Sequence, residues 1–159
     1  MTRFHDFLLI GIDGKTHPAT ELRGNTVLVV NVASRCGYTP QYAGLQTLFK
    51  EFESRGLIVL GVPSNEFGAQ EPGSNEEIQT FCETKFAVTF PMMEKVVVKG
   101  PGQHPLYQWL TTVSNPSGDV RWNFEKFLIN GEGDIIGRFG SAVSPESAEL
   151  REAIQAALG

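Results

Sequence analysis

Residues 26–62, which read TVLVVNVASRCGYTPQYAGLQTLFKEFESRGLIVLGV, decide the fold of this protein. The segment opens with a continuous β-branched and aliphatic run, Thr26 to Val32, which predicts a strand buried on both faces. Apolar side chains then recur at helical spacing from Tyr42 to Phe52, and Gly56 ends the helix before a second apolar run, Leu57 to Val62. Two buried strands joined by a helix predict a parallel, right-handed β-α-β unit.

The segments on either side complete an α/β pattern. Before the unit, Asp13-Gly14 predicts the tight turn of an N-terminal β-hairpin that starts at Phe7. After it, a capping box at Ser74 to Glu77 predicts the start of a second helix, and Met92 to Val98 is predicted as a strand. A helix at Pro105 to Val113 follows, and then a hairpin of Phe124 to Ile129 with Ile135 to Phe139. The last predicted helix is capped at Ser144 to Glu146 and ends at Leu158. We therefore predict a thioredoxin-like α/β fold: a central mixed β-sheet flanked by helices, with an N-terminal β-hairpin. No repeat or linker-like stretch interrupts the chain, so we expect a single domain over residues 1–159.

Composition and charge exclude several classes of function. Eighteen acidic and thirteen basic side chains give a net charge of -5, and no run of Lys or Arg is present, so binding to nucleic acid or to an anionic membrane through a basic face is not expected. The apolar runs are far shorter than the ~20 residues of a spanning helix, so stable insertion into a membrane is not expected either, and Phe7 to Ile10 lacks the features of a signal peptide. We expect a cytoplasmic protein whose two cysteines are reduced.

Cys36 stands at a chemically favourable place, between the end of a buried strand and the first turn of a helix for which Thr39 offers the N-cap and Pro40 the first residue. Free N–H groups and partial positive charge at a helix N-terminus favour a thiolate, the nucleophilic form. No second cysteine follows at the spacing of a CxxC disulfide exchanger. His5, His17 and His104 show no ligand-like spacing with a cysteine, so no metal site is predicted, and no motif supports a Cys-His hydrolase.

Three motifs carry a resemblance to a known family. Asn31 to Thr39 (NVASRCGYT) resembles the catalytic-cysteine motif of glutathione peroxidases, Phe67 to Ser74 (FGAQEPGS) resembles their second motif, and Trp122 to Phe127 (WNFEKF) their third. The motifs follow in the family's order, and the resemblance extends over nearly the whole chain. It implies an antioxidant thiol peroxidase that needs no cofactor and reduces hydrogen peroxide and organic or lipid hydroperoxides.

The resemblance also implies a catalytic tetrad of Cys36, Gln70, Trp122 and Asn123. Gln and Asn carry NH₂ donors and Trp carries an indole N–H, so three neutral groups can donate toward sulfur or peroxide oxygen. Such donors stabilise a thiolate and a leaving oxyanion without a general-base histidine. Taken alone, Trp122 would be read as a core residue and Gln70 as an ordinary polar loop residue. Position 36 holds Cys where some family members have selenocysteine, which implies slower catalysis.

Cys82 lies in the segment Gln79 to Phe86 (QTFCETKF), which resembles the resolving-cysteine segment of the two-cysteine, thioredoxin-dependent branch. This implies a Cys36–Cys82 disulfide that is recycled by thioredoxin. Because a disulfide needs Cα atoms within about 7 Å, the helix around Cys82 must then loosen during turnover. Ser64 stands where many relatives have another cysteine, so no other thiol can resolve. The alternative is a structural Cys82, which shares a helix face with Ile78 and Phe81, with glutathione as the reductant.

Two further interpretations remain open. The protein could act as a redox sensor or relay that passes its disulfide to a protein partner, or as an inactive binding module with an unreactive Cys36. The connection between Val113 and Arg121 lacks the longer insertion with which tetrameric relatives build an interface, so we expect a monomer. The same short loop would leave the Cys36 region open to bulky lipid hydroperoxides.

Overall fold

The computed structural model describes residues 1–159 and is built of six strands and four α-helices. In chain order these are β1 (Leu8–Ile10), β2 (Thr16–Pro18), β3 (Thr26–Val32), α1 (Gln41–Phe52), β4 (Leu57–Pro63), α2 (Asn75–Phe86), α3 (Pro105–Val113), β5 (Lys126–Ile129), β6 (Ile135–Phe139) and α4 (Ala148–Leu158). Short 3₁₀-helices cover residues 4–6, 19–22 and 53–55.

The central sheet has four strands in the order β4-β3-β5-β6. Strands β3 and β4 are parallel and in register from Thr26 opposite Leu57, whereas β5 runs antiparallel to β3 and β6 antiparallel to β5. Strands β1 and β2 form a separate antiparallel hairpin. The predicted β-α-β unit, the mixed sheet and both hairpins are therefore confirmed.

Each face of the sheet is covered by its own hydrophobic core, because successive side chains of a strand point to opposite faces. Leu28 and Val30 of β3 pack in one core with α1, α2 and α4, and this core also contains both cysteines. Val27 and Val29 pack in the other core with α3 and the N-terminal segment. Cys36 and Cys82 thus belong to the same side of the sheet.

The prediction of a strand over Met92 to Val98 was wrong. Only isolated bridges form, between Met92 and Gly61 and between Met93 and Gly11. The backbone of this segment alternates between two partners: Met93 N donates to Gly61 O of β4, whereas Glu94 N donates to Ile10 O of β1. A segment that divides its hydrogen bonds between two neighbours joins them without forming a regular ladder with either.

Two predicted helix caps were displaced, whereas the capping box of Ser74 and Glu77 formed as predicted. Thr39 does not cap α1: its hydroxyl donates to Ala33 O at 2.8 Å and accepts the Cys36 N–H at 2.9 Å, which shapes the preceding turn. The last helix is capped by Ser147, whose Oγ accepts the Leu150 N–H. None of the helices combines the length and apolar character that crossing a bilayer requires.

Candidate active site

Cys36 lies in the tight turn that connects the end of β3 to α1, and its side chain is almost buried, with 8% of the residue exposed. The Tyr38 N–H donates to the Cys36 Sγ at 3.3 Å. The turn is held by Thr39, which bonds the backbone at both Ala33 and Cys36. The Tyr38 N–H is a backbone donor aimed at the Cys36 sulfur, an arrangement that can hydrogen-bond a thiolate.

Gln70 and Asn123 meet although 53 positions separate them in the chain. Asn123 is completely buried, and its Nδ2 donates to Gln70 Oε1 at 2.9 Å. The Gln70 carbonyl in turn accepts the backbone N–H of Arg35 at 3.0 Å, which joins this pair to the turn that carries Cys36. The Gln70 Nε2 has no hydrogen-bond partner within the protein, so it is free to donate to a bound molecule.

Trp122 lies at the surface beside the same loop, with 37% of the residue exposed. Its ring packs against the ring of Phe67 with centroids 5.8 Å apart. It also passes close over Gly68, where a Cβ would lie 3.3 Å from the Trp122 ring and where φ is +69°. No protein acceptor engages the Trp122 indole N–H. The structure therefore brings Trp122 and Asn123 against the loop of Gln70, which is bonded to the Cys36 turn, and leaves the Gln70 amide nitrogen and the Trp122 indole nitrogen available as donors there.

Sequence reasoning missed Glu71, the neighbour of Gln70. This residue is only 1% exposed, and its Oε1 accepts the Ser34 N–H at 3.1 Å, while its Oε2 is buried without a partner. Burial raises the pKa of the Glu71 carboxyl, against the opposing effects of Ser34, Lys95 and Arg35. The motif FGAQEPGS contains this glutamate, but the motif alone does not indicate that it is buried.

Cys82 lies on α2 and is 2% exposed in the core that also contains Cys36; the two thiols form no disulfide. Burial raises the pKa of the Cys82 thiol to about 11; the nearby Tyr42 hydroxyl opposes this rise, and the carboxylates of Glu71 and Glu83 add to it. The aromatic ring of Tyr42 stacks on Phe86 at the end of α2, with centroids 5.4 Å apart. Burial therefore disfavours the thiolate of Cys82 and shields its sulfur from water.

Beside Cys82 there is free space: it lines a cavity of about 390 Å³ between α2 and the β1–β2 hairpin, whose wall includes Asp13 and His17. No group of three or more His, Cys, Asp or Glu side chains in the protein could hold a metal ion. Ser64, which follows β4 directly, is 1% exposed and has no thiol chemistry to offer.

Comparison with known proteins gives one consistent result. A family profile described as glutathione peroxidase matches residues 4–111. The chain is 46% identical to the glutathione peroxidase-like peroxiredoxin gpx1 of Schizosaccharomyces pombe, covering 94% of this chain and 96% of that one. It is 45% identical to the hydroperoxy fatty acid reductase gpx1 of Synechocystis sp., over 89% of each chain. It is 43% identical to the thioredoxin/glutathione peroxidase BtuE of Escherichia coli, over 92% of each chain.

Solved structures agree with this result. The crystal structure of Trgpx in apo form matches with a TM-score of 0.81 and 36% identity, covering 99% of this chain and 95% of that one. A thioredoxin family thiol:disulfide interchange protein from Chlorobium tepidum matches with a TM-score of 0.75 at 19% identity, covering 99% and 97% of the two chains. The second likeness concerns the fold alone, and it confirms the thioredoxin-like class predicted from the sequence.

Proposed function

Because this chain belongs to the glutathione peroxidase family and is a peroxidase, we propose that Cys36 attacks the O–O bond of a hydroperoxide and becomes a sulfenic acid. Gln70, Trp122 and Asn123 complete the active site. One observation carries this assignment: the Asn123–Gln70 hydrogen bond of 2.9 Å fixes Gln70 beside the Cys36 turn while its Nε2 stays free. Together with the Trp122 indole N–H, this group can donate to the peroxide oxygen that leaves as hydroxide or alkoxide.

Cys82 resolves the sulfenic acid in this proposal. Its sulfur attacks the Cys36 sulfur, a disulfide forms, and the sulfenic oxygen leaves as water after taking up a proton. A thiol with a pKa of about 11 that is 2% exposed is a poor nucleophile where it stands. The helix α2 must therefore open, which brings the Cys82 thiol into water and lowers its pKa towards the ordinary value.

Helix α2 is suited to such opening. Ile78 and Cys82 are its only fully buried residues, whereas Phe81 and Phe86 pack against the core while partly exposed. A short helix with two fully buried residues opens locally at a lower cost in free energy than the central strands. The surface cavity of about 390 Å³ beside Cys82 is lined on α2 by Gln79, Cys82 and Glu83, so the opening helix has free space along this flank.

We further propose thioredoxin as the reductant, acting on a monomeric, cytoplasmic protein. An intramolecular disulfide is the kind of substrate that a dithiol protein reduces, and the similarity to a thioredoxin/glutathione peroxidase supports this choice. Because Tyr38 in the Cys36 turn and Trp122 beside the Gln70 loop are both exposed, the site is open to organic and lipid hydroperoxides as well as hydrogen peroxide. The similarity to a hydroperoxy fatty acid reductase supports this substrate range.

The burial of Cys82 also favours a second candidate, in which this thiol is purely structural and glutathione reduces Cys36 directly. A coupled assay separates the two. NADPH consumption is followed with hydrogen peroxide and with a fatty acid hydroperoxide, in parallel with thioredoxin plus its reductase and with glutathione plus its reductase. We expect turnover with thioredoxin that is lost in both Cys36→Ser and Cys82→Ser. Glutathione-supported turnover that survives in Cys82→Ser would instead establish the second candidate.

A further inference from the structure

Lys126 in β5 is a completely buried lysine with no carboxylate partner. It has 0% exposure, and the acidic neighbour in sequence, Glu125, is engaged by Arg138 at 2.5 Å. Removing an ammonium group from water is costly unless hydrogen bonds compensate. Burial lowers the pKa of Lys126 to about 8, while Glu125 opposes this change. The hydrogen bonds of the Lys126 ammonium group must therefore offset this cost.

The ammonium group binds two backbone carbonyls. Lys126 Nζ donates to Phe124 O at 2.7 Å and to Ser141 O at 3.3 Å. Phe124 directly follows the proposed site residues Trp122 and Asn123. It also has φ of +65°, in the left-handed region that a bulky residue enters only when its surroundings enforce it. Lys126 therefore anchors the carbonyl of a strained residue.

The peptide groups on the other side of the strained residue are held by Asn31 of β3. Asn31 Nδ2 donates to Trp122 O at 3.0 Å, and Asn31 O accepts the Phe124 N–H at 2.6 Å. With the bond from Lys126, three hydrogen bonds fix the backbone of residues 122–124. The left-handed conformation of Phe124 turns the chain between this loop and β5. This turn therefore sets the direction in which the side chains of Trp122 and Asn123 point.

The second acceptor of Lys126 leads to the other half of the site. Ser141 O also accepts Gln41 Nε2 at 2.8 Å, and Gln41 is the first residue of α1, the helix that follows the Cys36 turn. One carbonyl is thus shared by the first residue of α1 and by the lysine that holds the Trp122–Asn123 loop. Through Ser141, Lys126 connects the two segments whose relative position defines the site.

We propose that Lys126 is a positioning residue for the peroxide-reducing step. Its ammonium group holds the Phe124 and Ser141 carbonyls so that Trp122 and Asn123 face the Cys36 turn. This inference rests on the proposed role of Cys36. It assigns Lys126 no contact with the peroxide and no part in reducing the disulfide, so the two half-reactions must respond differently to its replacement.

The test compares Lys126→Met, which removes every donor, with Lys126→Gln, which keeps an amide donor. Rapid-quench thiol labelling measures the single-turnover rate of Cys36 oxidation by hydrogen peroxide, and a separate experiment measures reduction of the oxidised protein by thioredoxin. We expect oxidation to slow by roughly ten- to a hundredfold in Lys126→Met and by less in Lys126→Gln, because a displacement of about 1 Å has effects of that order. Reduction should proceed at an unchanged rate, and the fluorescence of Trp122 should shift.

Lys50→Met is the matched control, since Lys50 is an exposed lysine on α1 paired only with Glu53. Cys36→Ser, measured alongside, reports on the proposed function itself: persistent oxidation there would refute the role of Cys36, whatever the lysine variants do. Circular dichroism establishes folding. If Lys126→Met does not fold, the oxidation and reduction rates of Lys126→Gln test the inference instead. A folded variant with a normal oxidation rate, equal slowing of both half-reactions, or unfolding of both variants would make Lys126 a purely structural residue and overturn the inference.

Discussion

The Nδ2 of Asn123 donates to the Oε1 of Gln70 across 2.9 Å, which ties the loop before β5 to the loop that follows β4. Asn123 is completely buried and therefore cannot exchange this bond for one to water. The bond occupies the acceptor end of the Gln70 amide, so the donor end is the part left for a substrate.

Loss of this donor arrangement should slow peroxide reduction without unfolding the protein. Gln70→Ala, Trp122→Phe and Asn123→Ala should each reduce the rate of Cys36 oxidation by roughly ten- to a thousandfold, because the first two remove a donor that stabilises charge in the transition state and the third releases the Gln70 amide. Since Asn123→Ala should act through Gln70, the Gln70→Ala/Asn123→Ala double variant should be slowed by less than the product of the two single effects. Stopped-flow oxidation measures these rates. Unchanged rates in all three single variants would remove these residues from the mechanism.

The two cysteines should differ sharply in reactivity towards an alkylating reagent. At pH 8 iodoacetamide should modify Cys36 in the reduced, folded protein and spare Cys82, because burial raises the pKa of Cys82 to about 11 and leaves 2% of it exposed. In urea both should react at similar rates. Peptide mass spectrometry over time distinguishes the sites. Rapid modification of Cys82 in the folded protein would mean that α2 is open before any peroxide arrives.

Cys82→Ser should consume one equivalent of peroxide and then stall. Because no other thiol is available, Cys36 should remain a sulfenic acid, which excess peroxide should oxidise further to the sulfinic acid. The variant should therefore lose its thioredoxin-supported turnover. In the unmodified protein, mass spectrometry should instead detect a Cys36–Cys82 link, with faster hydrogen exchange over residues 74–86. A stable sulfenic acid with no link in the unmodified protein would show that Cys82 has a structural role only.

Stability should depend on the charge of Glu71. Burial raises the pKa of this carboxyl in the folded state above its value in the unfolded chain, so the folded state binds the proton more tightly. Its contribution to stability is fully present below the unfolded pKa and is lost as the pH rises through the folded pKa. Glu71→Gln should therefore be more stable than the unmodified protein at pH 7, with a smaller difference at pH 4.

Urea unfolding at both pH values measures this difference. Glu132→Gln, at an exposed position in the turn between β5 and β6, is the control and should change little at either pH. A Glu71→Gln variant that is less stable than the unmodified protein at pH 7 would mean that the ionised carboxylate, attracted by Lys95 and Arg35, stabilises the fold after all.

The sequence correctly predicted those elements that depend on residues close to one another in the chain. Continuous apolar runs and helical spacing identified β3, α1 and β4, and the capping box at Ser74 identified the start of α2, because each feature depends on residues within a few positions of one another. The Cys36 turn was placed correctly for the same reason, since a strand end and a helix start enclose it. The resemblance of the three motifs then indicated which polar residues to associate with it.

Only the tertiary structure decided those features that depend on contacts between residues far apart in the chain. Whether Met92 to Val98 pairs as a strand depends on two neighbours at once, and the role of Thr39 depends on the Ala33 carbonyl that it meets in the turn. The pairing of Asn123 with Gln70 joins residues 53 positions apart. The burial of Lys126 depends on which chain segments cover it, and neither composition nor periodicity records this. Hydrogen bonds and burial between distant segments exist only after the chain has packed, which is why the position of each donor came from the folded molecule.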